Sequence, residues 1–130
     1  MIQNINKKIL LIEDDEDIRE LLKELLTCAG YLIDCACNGR DALTHLRSNE
    51  PLPALILLDM LMPIMSGLEF RTEQLKDNKL KHIPVIVMSA NSQLEKIAKE
   101  ALADDYLEKP LKIDTILNKI NRLISKPNPV

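Results

Sequence analysis

Residues 7–26 read KKILLIEDDEDIRELLKELL, and the fold turns on how this stretch changes character part-way along. Ile9 to Ile12 form an unbroken aliphatic run that stops abruptly at Glu13, Asp14 and Asp15. A short aliphatic run without polar alternation is the mark of a strand buried on both faces. Beyond the acids the period changes. Ile18, Leu21, Leu22 and Leu25 follow the i, i+3, i+4, i+7 spacing, acids fill the first turn, and Gly30 stands just past the end. A doubly buried strand followed by an amphipathic helix is expected.

The same change of period recurs along the chain. Tyr31 to Cys37 reads as a strand, and Asn38 with Asp41 three residues on can open a helix. Pro51 and Pro53 break the chain before a second aliphatic run, Ala54 to Asp59. A loop containing Pro63 follows, and Ser66 with Glu69 has capping-box spacing for a third helix. Pro84 precedes VIVMS, a fourth strand ending at Ser89, and Ser92 with Glu95 suggests a second capping box for a helix running to about Leu102. DYLEK, with Tyr106 and Leu107, is a short fifth strand. Ile113, Ile116, Leu117, Ile120, Leu123 and Ile124 make the single apolar stripe of a last helix, ended by the prolines of KPNPV. Five strands thus alternate with five helices. Parallel neighbours need crossovers, so the economical fold is α/β, an open parallel sheet with helices on both faces. No repeat or linker divides residues 1–130, and one domain with a core of about 8–124 is expected.

Composition narrows the function. A hydrophobic share of 46% supports a real core, and 28% charged residues with a net charge of −3 fit a globular protein. The acidic balance, two Tyr, one Phe and no Trp argue against nucleic-acid binding by bulk charge or stacking. No apolar run approaches the roughly 20 residues of a membrane span, and MIQNINKK does not resemble a signal peptide. A cytoplasmic protein is expected. Cys28, Cys35 and Cys37 contain no C-x-x-C, so they read as small buried apolar side chains rather than a zinc or redox site.

Ligands of open α/β sheets bind beyond the carboxyl ends of the strands. There this chain places Glu13, Asp14 and Asp15 after the first strand, Asp59 at the third, Ser89 at the fourth and Lys109 after the fifth. Each alone has an ordinary explanation as a helix-terminal acid, a turn residue or a solvated charge. Together at one edge they suggest a hard, all-oxygen pocket suited to Mg²⁺, and without the cation like-charge repulsion should raise carboxyl pKa values. Carboxylate nucleophile, Mg²⁺, lysine and hydroxyl are the parts needed to form an aspartyl phosphate.

The segments IEDDEDIR, LLDMLMPIMSG, VIVMSA and DYLEKPL resemble the four signature regions of response-regulator receiver domains of two-component signalling, and the likeness covers about Lys8 to Ile124. It implies a flavodoxin-like sheet of order 2-1-3-4-5. It implies Asp59 as phosphoacceptor, followed by Pro63 and Gly67 as the family pattern expects. Asp14 matches the direct Mg²⁺ ligand, Glu13 an acid acting through water, and the Leu61 carbonyl the third protein ligand. Asp15 then falls outside the pair, as a helix N-cap. Ser89 and the backbone N–H of Ala90 match the phosphate-binding switch, Lys109 the phosphate-binding lysine, and Tyr106 the aromatic that changes rotamer. A receiver of this kind is a signalling phosphoacceptor rather than an enzyme. It takes its phosphoryl group from a sensor histidine kinase or His-phosphotransfer protein. It signals to a protein target through the face of the fourth helix, fifth strand and fifth helix, as a monomer or a phosphorylation-linked dimer. The alternatives are a relay intermediate passing phosphate to another His, or a fragment of a larger regulator.

Three residues depart from the family pattern. Leu102 stands where Gly is usual, so a left-handed cap should be hard to form and the fourth helix is expected to end differently. Leu111 replaces a common Phe, and Glu108 occupies a site more often small or apolar. Apolar Leu61, with Asn91, would flank the path of a hydrolytic water, which suggests slow self-dephosphorylation. Competing readings are weaker. A haloacid-dehalogenase-type phosphatase needs an Asp where Leu61 stands. A nucleotide-binding module needs a glycine loop that Gly30, Gly39 and Gly67 do not form.

Overall fold

The computed structural model describes residues 7–48, 50–62 and 64–125. Strands and helices alternate as β1 (Lys8–Ile12), α1 (Glu16–Cys28), β2 (Leu32–Ala36), α2 (Gly39–Ser48), β3 (Leu55–Asp59), α3 (Gly67–Lys76), β4 (Val85–Ser89), α4 (Leu94–Glu100), β5 (Asp105–Glu108) and α5 (Ile113–Ser125). All neighbouring strands are parallel, in the order β2-β1-β3-β4-β5. The expected sheet order is observed.

The aliphatic runs lie where both faces of the sheet are covered. Leu10, Ile12, Ile56, Leu58, Val85 and Val87 pack on one face with Ala42, Leu46, Phe70, Leu94 and Ala98 from α2, α3 and α4. Ile9, Leu11, Leu55, Leu57, Ile86 and Met88 pack on the other with Leu22, Leu26, Ile116 and Ile120 from α1 and α5. Burying each such side chain is worth about 1.5–3 kcal/mol, so the interior positions of β1, β3 and β4 are apolar, and the buried polar residues Asp59 and Ser89 stand at the last positions of β3 and β4. The polar groups of the chain are pushed to the strand ends.

Helix termini follow local chemistry. Asp15 caps α1 by accepting the Ile18 N–H at 3.0 Å, and Gly30 takes a left-handed turn (φ 104) after its end. The Asn38 side chain accepts the Asp41 N–H at 2.9 Å at the start of α2. Ser66 and Glu69 form the reciprocal capping box at α3. The N-terminus of α3 sits hard against the end of β3, since a Cβ on Gly67 would lie 2.7 Å from the Met60 Cα and 2.8 Å from the Asp59 carbonyl oxygen.

Several sequence expectations are corrected. The inward stripe of α1 is Ile18, Leu22 and Leu26, while Leu21 and Leu25 face outward. The spacing of α1 admits two adjacent stripes, and only packing on the sheet chooses between them. No Ser92–Glu95 capping box forms; Asn91 Oδ1 accepts the Gln93 N–H at 2.7 Å, and α4 begins two residues after Ser92 without a side-chain cap. Leu102 does adopt the left-handed conformation (φ 54). Its N–H donates to Lys99 O and that of Ala103 to Ala98 O, so α4 closes as a glycine-terminated helix would. Cys28 and Cys37 are exposed rather than buried, while Cys35 is half-buried and packs against the core beside α1 and α5. Cys37 donates its thiol to Asp41 Oδ2 at 3.0 Å, and this hydrogen bond, with some burial, raises its pKa. Pro63 and the KPNPV prolines lie outside the described residues. Among the described residues, no helix is long and apolar enough to cross a membrane.

Candidate functional site

β1 and β3 end at one edge of the sheet, where the chain leaves the core. Glu13 is held there by backbone. Its N–H donates to Ala36 O at 3.1 Å, and its carbonyl accepts from the Arg19 guanidinium at 2.9 Å. Carboxylate oxygens of Glu13, Asp14 and Asp59 all lie within 4.8 Å of one another, with Glu13 and Asp59 buried and Asp14 exposed. All three donors are hard oxygens, and the exposed member leaves a side open to water, which fits a hydrated divalent cation such as Mg²⁺.

Lys109 reaches into the group from the loop after β5. Its ammonium lies 3.0 Å from Glu13 Oε1 and 3.6 Å from Asp59 Oδ1, and the Lys109–Pro110 peptide is cis. Burial alone would lower the Lys109 pKa, but the hydrogen bond to Glu13 and the charges of Asp59 and Glu13 outweigh it and hold it above the ordinary value. Asp59 Oδ1 also accepts the Leu61 N–H at 3.2 Å. Burial is the main cause that pushes the Asp59 carboxyl up to about 7, followed by its hydrogen bond and charge interaction with Glu13. The expected upward shift is present, but like-charge repulsion is its lesser cause.

Of the remaining residues expected to act, Ser89, Ala90 and Leu61 stand at or just beyond the same edge of the sheet, whereas Tyr106 does not. Ser89 is buried at the end of β4, and its Oγ accepts the Asn91 N–H at 3.1 Å. Ala90 is exposed beside it, and the Leu61 side chain is 71% exposed. Tyr106 lies on β5 opposite Val87 rather than at the acidic group, half-buried, with the Lys119 ammonium 4.8 Å from its ring centre. Lys119 also donates to Tyr106 O at 2.6 Å and to Asp105 Oδ1 at 3.1 Å, and Arg122 pairs with the same Asp105. A groove of about 500 Å³ beside β5 is lined by Tyr106, Lys109, Pro110, Lys112 and Lys119.

Sequence reasoning missed Arg19, which fixes the Glu13 backbone, and the buried pair Arg71 and Gln74 on α3. The first carried no signal, being one charge on an amphipathic helix. The second did: two polar residues at i, i+3 share a helix face with Phe70, which is fully buried.

The sequence profile described as the response regulator receiver domain matches residues 9–121. Response regulator MprA of Mycolicibacterium vanbaalenii is 34% identical over 124 residues, covering 94% of this chain and 52% of its own length. The chain thus spans about half the length of the curated relatives it matches. The response regulator protein TrrA of Thermotoga maritima, solved in complex with Mg²⁺ and BeF, superposes with a TM-score of 0.79 at 38% identity, over 90% of this chain and 98% of that one. The chemotaxis protein CheY4 of Vibrio cholerae gives 0.82 at 28% identity, over 91% and 98%.

Proposed function

Because this chain belongs to the response regulator receiver domain family of two-component signalling, we propose that it accepts a phosphoryl group on Asp59 from a phosphohistidine. The observation that carries this is the gathering of Glu13, Asp14 and Asp59 within mutual reach, with Lys109 bridging Glu13 and Asp59. In the transfer an Asp59 oxygen bonds to phosphorus as the phosphorus–nitrogen bond breaks, and the imidazole leaves with its electron pair and takes up a proton. Asp59 must be ionised to attack, and the same burial that raises its pKa shields the reacting atoms from water.

Asp14, Asp59 and the Leu61 carbonyl are the residues that would hold Mg²⁺, with Glu13 acting through a water. When bound, Mg²⁺ supplies neutralisation of charge between the attacking carboxylate and the phosphoryl oxygens. Lys109 exchanges its contact with Asp59 for a phosphoryl oxygen, and Ser89 with the Ala90 N–H takes another. The movement of Ser89 alters the β4–α4 loop, lets Tyr106 change rotamer and remakes the α4–β5–α5 face for a protein target. Nothing in this scheme requires nucleic acid or a membrane. We place the protein in the cytoplasm, as a monomer or a dimer linked to phosphorylation, receiving from a histidine kinase or His-phosphotransfer protein.

The test is incubation with acetyl phosphate and Mg²⁺, read by intact mass and by a phosphate-affinity gel. A gain of one phosphoryl group is expected, prevented when EDTA is present from the start and absent in Asp59→Asn. Undiminished labelling of that variant would exclude Asp59 as the acceptor.

A further inference from the structure

The seven residues of α4 are held in opposite ways at their two ends. At the C-terminal end, the carbonyls of Ala101 and Leu102 both accept from the Arg71 guanidinium of α3, at 2.9 Å through Nε and 2.7 Å through Nη2. A third donor of Arg71 goes to Gln74 Oε1 at 2.8 Å, and the Gln74 amide holds Leu80 O and Ile83 O at 3.0 and 3.1 Å. Arg71 is 5% exposed and Gln74 fully buried. Just beyond, Asp104 is locked to the start of β4. Its N–H donates to Val85 O at 2.9 Å, and its carboxylate accepts the Val85 N–H at 2.8 Å.

Among the described residues, the N-terminal end is hydrogen-bonded only within its own loop, where Asn91 Oδ1 accepts the Gln93 N–H at 2.7 Å and Asn91 O the Leu94 N–H at 3.1 Å, and the buried Leu94 side chain anchors it by packing alone. Gln93 makes no side-chain cap, and the preceding Asn91 leans on Ser89 Oγ, the hydroxyl assigned above to a phosphoryl oxygen. Turning Ser89 away loosens that hydrogen bond and with it the entry to α4. A packed apolar side chain would fill the Arg71 site with far less desolvation, so stability alone is a poor account of a buried guanidinium. Its planar fork spans two carbonyls that a left-handed leucine presents, and its charge suits a helix C-terminus.

We propose that Arg71 is a positioning residue that pins the C-terminal turn of α4 to α3, so that a change begun at Ser89 swings α4 about that end instead of shifting the whole helix. The swing rests on the phosphorylation reading; the pin does not.

The test uses the ¹⁵N-labelled chain and Arg71→Met, which keeps volume and removes the donors. Amide exchange at Ala101, Leu102 and Ala103, measured without ligand and corrected for global stability, should rise about tenfold or more in the variant. Arg71→Lys should leave it raised, since one ammonium does not span both carbonyls in the guanidinium's fixed geometry. If Arg71→Met alone folds poorly, adding Leu102→Gly relieves the left-handed strain without restoring the donors, and exchange should stay fast. Exchange at wild-type rates after correction would overturn the pin. On adding Mg²⁺ and beryllofluoride, wild-type shift changes should be large at residues 91–95 and small at 101–103. Changes of equal size at both ends would overturn the swing. Silence everywhere in the wild type would overturn the swing together with the phosphorylation reading, while the ligand-free exchange contrast still judges the pin.

Discussion

Asp59 is a carboxylate placed where water solvates it poorly and Glu13 lies alongside, and the consequence is measurable without any phosphoryl donor. Its folded pKa is about 7 against an ordinary 3.8, so between those values the folded chain keeps a proton that the unfolded chain has lost. Folding stability of the metal-free protein is therefore fully present below about pH 4 as far as this group is concerned. It declines as pH rises toward 7, by at most about 1.4 kcal/mol per pH unit. Asp59→Asn should flatten that decline and stabilise the metal-free protein above pH 7 by roughly 1–3 kcal/mol, read by urea denaturation across the pH range. A variant that kept the slope would locate the titrating group elsewhere. At Leu61, whose side chain is exposed beside the acceptor, an amide would hold a hydrolytic water better than an isobutyl group. Leu61→Asn should shorten the phosphoryl lifetime several-fold, and an unchanged half-life would remove that role.

Among the elements, α3 carries more of the site than its length suggests. Its capping box fixes where the helix starts, and Gly67 lets that start press against the chain just after Asp59. Ser66→Ala should cost about 1 kcal/mol in a denaturant titration. Gly67→Ala should cost more, because a methyl group at 2.7 Å from a backbone atom forces the β3–α3 connection to move. The contrast at α4 is instructive. Ser92 and Glu95 have the same spacing as Ser66 and Glu69, yet no box forms there. The Asn91 side chain and the Ser89 hydroxyl take the neighbouring amides first and delay the helix. Spacing alone does not decide a cap; here the turn built by Ser89 and Asn91 occupies the approach to α4, and the helix begins past Ser92.

For the whole molecule, the acidic edge and the buried sheet are one energetic system. A cation that binds only the folded chain stabilises it by mass action, about 2.7 kcal/mol at a hundredfold excess over Kd. Mg²⁺ should then raise Tm by roughly ten degrees at neutral pH. The rise should be smaller at pH 5, where protons compete for Asp59. It should shrink further in Asp14→Asn. Calorimetry with Mg²⁺ and with EDTA separates these outcomes, and a Tm indifferent to Mg²⁺ in the wild type would count against a cation site at this edge.

The strands, their parallel arrangement and the edge that carries the acids were legible in the residues because each rests on short-range pattern, whereas the order of the strands came only from the resemblance to receiver domains. Aliphatic runs too apolar to face water must be covered on both sides, and the residues that end them fall at one edge by topology. The capping residues at Asp15, Asn38 and Ser66 were legible for the same reason, since their partners lie within a turn. Which of two apolar stripes on α1 turns inward, and how leucine takes a glycine's place after α4, were settled only by tertiary contact. Ile18, Leu22 and Leu26 face in because the sheet lies on that side. The carbonyls flanking the left-handed turn of Leu102 are held by a guanidinium some 30 residues earlier in the chain. The rise of the Asp59 pKa was expected from the clustered acids, but its main cause belongs to the same class, because burial depends on everything packed around a group and no local pattern encodes it.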